Sequence, residues 1–175
     1  IEPDCKIVEI DGLTEGAACT TLLAEKLIDN KKPLLIANSD QFIEWNASKS
    51  MYKFISKKAD GGILTFEAIH PKWSYAKVDH NNKVLEVAEK KVISNNATVG
   101  IYYWKQGKDY VKYAKQMIKK NLRINNEFYV CPVFNEALKE NKNILIDKID
   151  KMWGIGTPED LKYFIDNFKI KKINL

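Results

Sequence analysis

Leu34 to Trp45 reads LLIANSDQFIEW, and this stretch decides the fold. The run Pro33-Leu34-Leu35-Ile36-Ala37 is apolar and predicts a buried strand. It stops abruptly at the polar turn Asn38-Ser39-Asp40-Gln41. Ligands of open α/β sheets bind beyond the carboxyl ends of the strands. A carboxylate fixed at such an end faces a crevice, so Asp40 is a candidate metal or phosphate-site residue. Asp is also an ordinary turn or cap residue, a role that needs no ligand.

On either side of this stretch, strand and helix patterns alternate. Lys6–Ile10 predicts a strand, and Glu15–Ile28 a helix with Thr14 as its cap and Asn30 near its end. After Leu34–Ala37 come a short helix over Ser48–Ser56 and a strand over Gly61–Phe66. Such alternation favours a layered sheet with parallel strands. Farther on, Tyr75–Asp79 and Val84–Glu89 flank a polar turn and predict a hairpin. Ala97–Trp104 is β-rich, and its interior Gly100 predicts a bulge or the close approach of a ligand. Two helices are predicted over Lys108–Lys120 and Asn126–Asn141, with Pro132 breaking the second near Val130. A strand over Ile144–Ile149 precedes a helix start in which Thr157 caps, Pro158 opens the helix and Asp160 follows three after the cap.

The 175 residues suit one domain, and an apolar content of 45% with 29% charged residues is ordinary for a globular chain. The net charge of +5 comes from scattered lysines. No basic block alternates with aromatics as a nucleic-acid stacking surface requires, so no nucleic-acid partner is expected. A small phosphorylated anion suits the charge equally well. Cys5, Cys19 and Cys131 are odd in number and far apart, and His70 and His80 lack ligand spacing. Reduced thiols in a cytoplasmic protein are the expectation. No apolar run reaches membrane-spanning length, and no membrane partner is expected. The chain opens on Ile1 with a strand pattern almost at once, which suggests that something precedes it.

Three local groupings carry possible chemistry. Thr14-Glu15-Gly16-Ala17-Ala18-Cys19-Thr20 joins a strand to a helix with small residues that let a flat group approach the backbone. Packing alone would also favour them. In Glu89-Lys90-Lys91 a carboxylate beside an ammonium could hold a hydroxyl and a phosphate of one ligand, or form a solvated surface pair. In Asn125-Asn126-Glu127-Phe128-Tyr129 an acid and two amides stand at a helix start, where capping would account for Asn126.

The order of these segments says more than any one of them. LLIANSDQ, ILTFEAIHPKWSYAKVD, VAEKK, ATVGIYYW, NNEFYVCPVFNEAL and MWGIGTPEDL together resemble the sugar-nucleotidyltransferase-like NTP transferase family, from about Lys6 to Phe164. The resemblance implies a Rossmann-like three-layer α/β/α fold with a mixed, mostly parallel sheet. It implies transfer of a nucleoside monophosphate from an NTP to a phosphorylated small molecule, with release of pyrophosphate and with Mg²⁺ as cofactor. By the same resemblance Asp40 is the Mg²⁺-binding aspartate, and Gly16, Ala17, Asn38 and Asp40 meet the nucleotide. Glu89 and Lys90 would hold the acceptor, Thr98 and Gly100 would line its pocket, and Glu127 would touch it. Asp40 and Lys90 are then the two residues expected to carry catalysis. Surface-polysaccharide synthesis is the implied role, with a sugar 1-phosphate as acceptor or else a phosphorylated non-sugar such as phosphocholine or a phosphorylated amino acid. A non-catalytic domain that binds a nucleotide or a sugar phosphate is the alternative.

Two departures from the pattern stand out. Many relatives carry a second metal-binding Asp two residues before the Gly-Thr turn, where this chain has Gly154. The family's glycine-rich strand–loop–helix, with its Arg and Lys for the triphosphate, has no match here. Residues 1–175 are therefore expected to be the C-terminal portion of one nucleotidyltransferase domain, inactive alone. An exposed sheet edge in such a portion would favour association into a homo-oligomer.

Overall fold

The computed structural model describes residues 3–168. Its main sheet contains β1 (Leu34–Ala37), β3 (Gly61–Glu67), β4 (Ser74–Val78), β5 (Val84–Glu89), β6 (Asn96–Trp104) and β7 (Ile144–Lys148). The strands run β5-β4-β6-β3-β7, and β1 joins the same edge of β6 that β4 meets farther back. A second, two-stranded sheet pairs β2 (Gln41–Glu44) with β8 (Lys151–Gly154). The helices are α1 (Ala17–Leu22), α2 (Glu25–Ile28), α3 (Ala47–Ser56), α4 (Gly107–Lys119), α5 (Val133–Lys139) and α6 (Pro158–Asn167).

All nine residues of β6 are buried, because both faces of the sheet are covered. Alternation sends Tyr102 and Trp104 to the face of α1, α4 and α5, while Ile101 and Tyr103 go to the face of α3. Trp104 stacks on Phe134 of α5 with centroids 4.3 Å apart, and Tyr103 stacks on Phe54 of α3 at 5.6 Å. Asp147 on β7 anchors α3 by accepting from Ser50 at 2.6 Å and pairing with Lys53 at 2.5 Å. The arrangement is the expected three-layer α/β/α fold, with the small sheet sharing the layer of α3.

The expectation of a mostly parallel sheet is corrected in one respect. β1, β3, β4 and β7 point the same way, but β6 runs opposite between them. Only β3–β7 is then a parallel pair, and the other four pairings are antiparallel. Lys6–Ile10 is not a strand. It lies exposed, Ile7 by 82%, and pairs with no strand among the described residues. Alternating apolar residues supply propensity, but a strand also needs a neighbour to accept its backbone hydrogen bonds. The helix expected over Glu15–Ile28 splits into α1 and α2, with Gly16 rather than Thr14 at the cap position. Pro132 acts as anticipated. Asn126–Val130 is not helical, and α5 begins at Val133.

Candidate functional site

Asp40 is positioned by the step between the two sheets. Beyond the end of β1 the ladder runs one residue farther, with Asn38 N donating to Gly100 O at 2.9 Å. The chain then leaves the main sheet and enters β2, where Gln41 pairs with Gly154 and Ile155 N donates to Asp40 O at 2.9 Å. Asp40 is thus held from both sides, with its side chain exposed. Its Oδ2 would lie 2.6 Å from a Cβ at position 156, so the carboxylate rests on bare glycine.

Two cavities share a wall made of Asn38, Gln41, Lys72 and Trp73. The larger, of about 300 Å³, reaches Ala17, Glu89, Lys90, Thr98, Tyr102 and Tyr129. The smaller, of about 190 Å³, contains Asp40, Gly154, Gly156, Thr157 and Asp160. Gln41 Nε2, in the shared wall, is buried without a hydrogen-bond partner among the described residues. A free buried donor is costly unless an acceptor reaches it, and a ligand oxygen would.

Gly100 fulfils the expectation of a bulge, and what approaches it closely is the chain's own Asn38. The glycine has φ +71°, and the β3–β6 register slips there, between the pairs Ile63–Tyr102 and Thr65–Thr98. A Cβ on Gly100 would come within 2.4 Å of Asn38 Nδ2, so the bare residue lets the Asn38 amide lie across the strand. Across Gly100, two residues to either side, Thr98 Oγ1 and Tyr102 OH share a hydrogen bond of 3.0 Å. Burial holds the Tyr102 phenol well above its usual range, so it stays a neutral donor and acceptor.

Glu89 accepts a short hydrogen bond from Ser74 Oγ across the β4–β5 hairpin. Burial pushes the Glu89 carboxyl up, against the opposing pull of Ser74 and Lys90. Lys90 sits in the left-handed region at φ +53° just past β5, with its N–H on Trp73 O at 3.1 Å. Its ammonium donates to Tyr129 OH at 2.6 Å and lies 4.7 Å from that ring's centre. Glu89 and Lys90 both line the larger cavity.

Gly16 departs from its expected use. Its φ of +116° brings the loop against residue 128, and a Cβ there would lie 2.7 Å from both Phe128 N and Phe128 O. Phe128 N donates to Glu15 O at 2.8 Å and Ala18 N to Phe128 O at 2.9 Å. The space at Gly16 is therefore filled by this chain's own backbone, and it is Ala17 that lines the cavity. Glu127 is exposed beside Gly16, in a turn where Asn125 and Asn126 take positive φ. Asn126 is a left-handed turn residue, not a helix cap, a conformation Asn tolerates well. Glu127 does not line the larger cavity but stands beside Tyr129, whose phenol burial raises first and Glu127 raises further.

Several site residues escape the sequence reading. Trp73, Ser74, Tyr129, Gln41 and Lys72 enter through loops and strand ends that only the folded hairpin brings together. Arg123 braces the two loops by donating to Glu15 at 2.8 Å while its guanidinium covers Phe128 at 4.1 Å. Its signal would have been a lone Arg in a chain whose positive charge is otherwise lysine. Of the cysteines, Cys131 is buried in the cavity wall with its thiol raised by burial, whereas Cys5 is exposed. Among the described residues no helix is long and apolar enough to cross a membrane.

Divalent magnesium takes oxygen ligands, few of them from protein. Among the described residues no group of three or more His, Cys, Asp or Glu is placed to hold a metal ion. The smaller cavity offers instead two carboxylates on a glycine-bare floor, Asp40 over Gly156 and Asp160 beside Gly154. That donor set fits a hard cation whose other ligands are water and phosphate.

The family model described as nucleotidyl transferase matches residues 6–167. Among solved structures, the nucleoside-diphosphate-sugar pyrophosphorylase from Vibrio cholerae RC9 superposes with a TM-score of 0.76 at 24% identity, covering 90% of this chain and 67% of that one. A chain assigned as a glucose-1-phosphate thymidylyltransferase from Bacillus anthracis, in complex with a sucrose, gives 0.70 at 17% identity over 94% and 66%. A UDP-glucose pyrophosphorylase complexed with UDP-glucose gives 0.68 at 16% over 89% and 64%. At these identities the likeness establishes the fold, and the chain spans about two thirds of the length of each structure. No curated protein sequence matches the chain.

Proposed function

The chain belongs to the nucleotidyl transferase family, and on that premise we propose that it serves a nucleotidyltransferase joining a nucleoside monophosphate to a phosphorylated small molecule. An oxygen of the acceptor phosphate bonds to the α-phosphorus of an NTP, the bond from that phosphorus to the bridging oxygen breaks, and pyrophosphate leaves. The observation that carries this reading is the shared wall between two chemically different cavities. One holds an acid, hydroxyls and an ammonium, and the other holds carboxylates.

The larger cavity suits a sugar 1-phosphate. Ring hydroxyls can donate to Glu89 and exchange hydrogen bonds with Thr98 and Tyr102, while Trp73 and Tyr129 offer flat apolar walls. The Lys90 ammonium, within reach of Tyr129, can turn to the acceptor phosphate. Ala17 and Asn38 form the nucleotide side, with Gly16 shaping the loop behind them. Asp40 would hold Mg²⁺, which when bound supplies charge neutralisation on the phosphates. Catalysis by the chain's own residues is then positioning: two substrates are oriented across one wall, and water is displaced from between them. A cytoplasmic role in surface-polysaccharide synthesis belongs to the same proposal and rests on the resemblance of the ordered segments.

Pyrophosphate release by the natively expressed protein tests the reading. Four NTPs are crossed with sugar 1-phosphates, phosphocholine and phosphorylated amino acids, with and without Mg²⁺. Release that needs Mg²⁺ and one NTP–sugar 1-phosphate pair is the expected result. Turnover with phosphocholine alone would replace the acceptor. Saturable binding with no release for any pair would make this a non-catalytic binding domain.

A further inference from the structure

The smaller cavity contains a carboxylate that the reading above leaves unused. We propose that Asp160 is the second protein donor of the divalent-cation site, taking the place of a side chain that Gly154 does not have. The inference rests on the proposed metal role of Asp40.

Asp40 and Asp160 approach one backbone segment, 154–156, at its two ends. Asp40 lies over Gly156, and Asp160 Oδ2 lies 3.7 Å from where a Cβ on Gly154 would stand. Gly154 is itself registered opposite Gln41, the residue after Asp40, in the β2–β8 ladder. Both carboxylates line the same cavity of about 190 Å³. Asp160 is placed by its helix. Thr157 Oγ1 caps α6 by accepting from Asp160 N at 3.1 Å, which fixes the first turn over the cavity.

A bland account also exists for Asp160. It is an acid in the first turn of a helix, favourable to the helix dipole, and it pairs with Lys72 at 3.5 Å. That pair is long and its side chains are 46% and 38% exposed, so it contributes little. It also leaves the space at Gly154 without a purpose. Gly154 does not have positive φ, and a Cβ there would meet only ordinary contacts at 3.7–3.8 Å. A side chain is sterically permitted at 154 and is nonetheless missing, while a carboxylate from α6 reaches the vacant volume. Lys72 is the ammonium nearest Asp160, and so weak a pair would yield readily to a divalent cation.

Binding of Mn²⁺ alone, followed by electron paramagnetic resonance on the full chain with parallel melting curves, decides the matter. Asp160→Asn should weaken Mn²⁺ binding by at least roughly 10–100-fold, since losing even a group that only supports a metal ligand costs that much, with the melting temperature little changed. Adding Gly154→Asp to Asp160→Asn should restore binding, because the new carboxylate starts beside the lost one. Lys72→Met, which removes the competing ammonium, should tighten binding. If Asp160→Asn binds Mn²⁺ as tightly as the native protein while Asp40→Asn does not, the inference fails and the Asp40 reading stands. A weakened Asp160→Asn that Gly154→Asp does not rescue overturns the substitution of one position for the other. If the native chain binds no Mn²⁺, or Asp40→Asn binds it normally, both readings fall.

Discussion

The carboxylate of Asp40 rests on Gly156: a Cβ at 156 would lie 2.6 Å from Asp40 Oδ2 and 3.3 Å from its Cβ and Cγ. Gly156 is thus a glycine because of its neighbour. The nearest atom is the end of a side chain, so the chain can yield, but only by moving the carboxylate.

Gly156→Ala should therefore rotate Asp40 out of place while sparing the fold. Both residues are exposed, and the expected stability change is under about 1 kcal/mol. Divalent-cation binding, measured as Mn²⁺ affinity beside a melting curve, should fall sharply. Native affinity in the Ala variant would mean that Asp40 does not need this position.

At the other end of the turn, Gly100 supports Asn38 by a stricter constraint. Its φ is +71° and a Cβ would come within 2.4 Å of Asn38 Nδ2 and 2.6 Å of Cγ. Gly100→Ala should cost about 1–3 kcal/mol from the left-handed backbone alone. In a domain of this size that lowers the melting temperature by roughly 2–12 °C. Adding Asn38→Ala should recover only the contact part of the loss. Full recovery would place the whole cost in the side-chain clash.

These two glycines show what the sequence discloses and what it hides. Gly100 inside a β-rich run announces a bulge, because glycine weakens a strand unless its freedom is used. The turn after Leu34–Ala37 announces Asp40 for a similar local reason, and Thr157-Pro158 announces α6. Direction of pairing is not local. Gly61–Phe66 reads as a strand whichever neighbour it takes, and the intrusion of β6 between co-directed strands cannot be read from alternation. β2 and β8 are not legible in the sequence, because each has four residues and is held by the other, 110 positions along the chain from Gln41 to Lys151. Gly16 is the opposite case. Its small size is legible, but its contact is the backbone of Phe128, a partner that only the fold supplies. Lys90 and Glu89 are adjacent in sequence, yet the neighbours Trp73 and Ser74, and Tyr129, which define their surroundings, come from two other segments.

Lys90 is expected to bind the acceptor phosphate in exchange for its hydrogen bond to Tyr129. A charge-assisted contact is worth roughly 1.5–3 kcal/mol, so Lys90→Ala should raise the acceptor KM by about one to two orders of magnitude. The NTP KM should change little. Tyr129→Phe releases the ammonium from its 2.6 Å bond and should leave the acceptor KM equal or lower. Titration of each substrate against each variant checks both. Equal losses for NTP and acceptor would remove Lys90 from the acceptor site.

Glu89 should show a conflict between stability and binding. Burial raises its carboxyl above the ordinary 4.5, so over the interval between the two values the folded chain holds a proton that the unfolded chain has released. Stability from this group is then greatest at or below the ordinary value and declines as pH rises through the raised one. Glu89→Gln removes the penalty. It should melt higher than the native protein at pH 7, with the difference vanishing below about pH 4, where both states of Glu89 are protonated. Acceptor binding should move the other way. Hydroxyls donate more strongly to an ionised carboxylate, roughly 1.5–3 kcal/mol, than to a neutral amide oxygen, roughly 0.5–1.5 kcal/mol, so the Gln variant should bind acceptor about tenfold more weakly. The native protein should likewise lose acceptor affinity as acidification protonates Glu89. Melting curves and acceptor titrations from pH 4 to 8 test both halves. A Gln variant that is less stable at pH 7, or that binds acceptor normally, would show that Glu89 is there to hold Ser74 and the hairpin together.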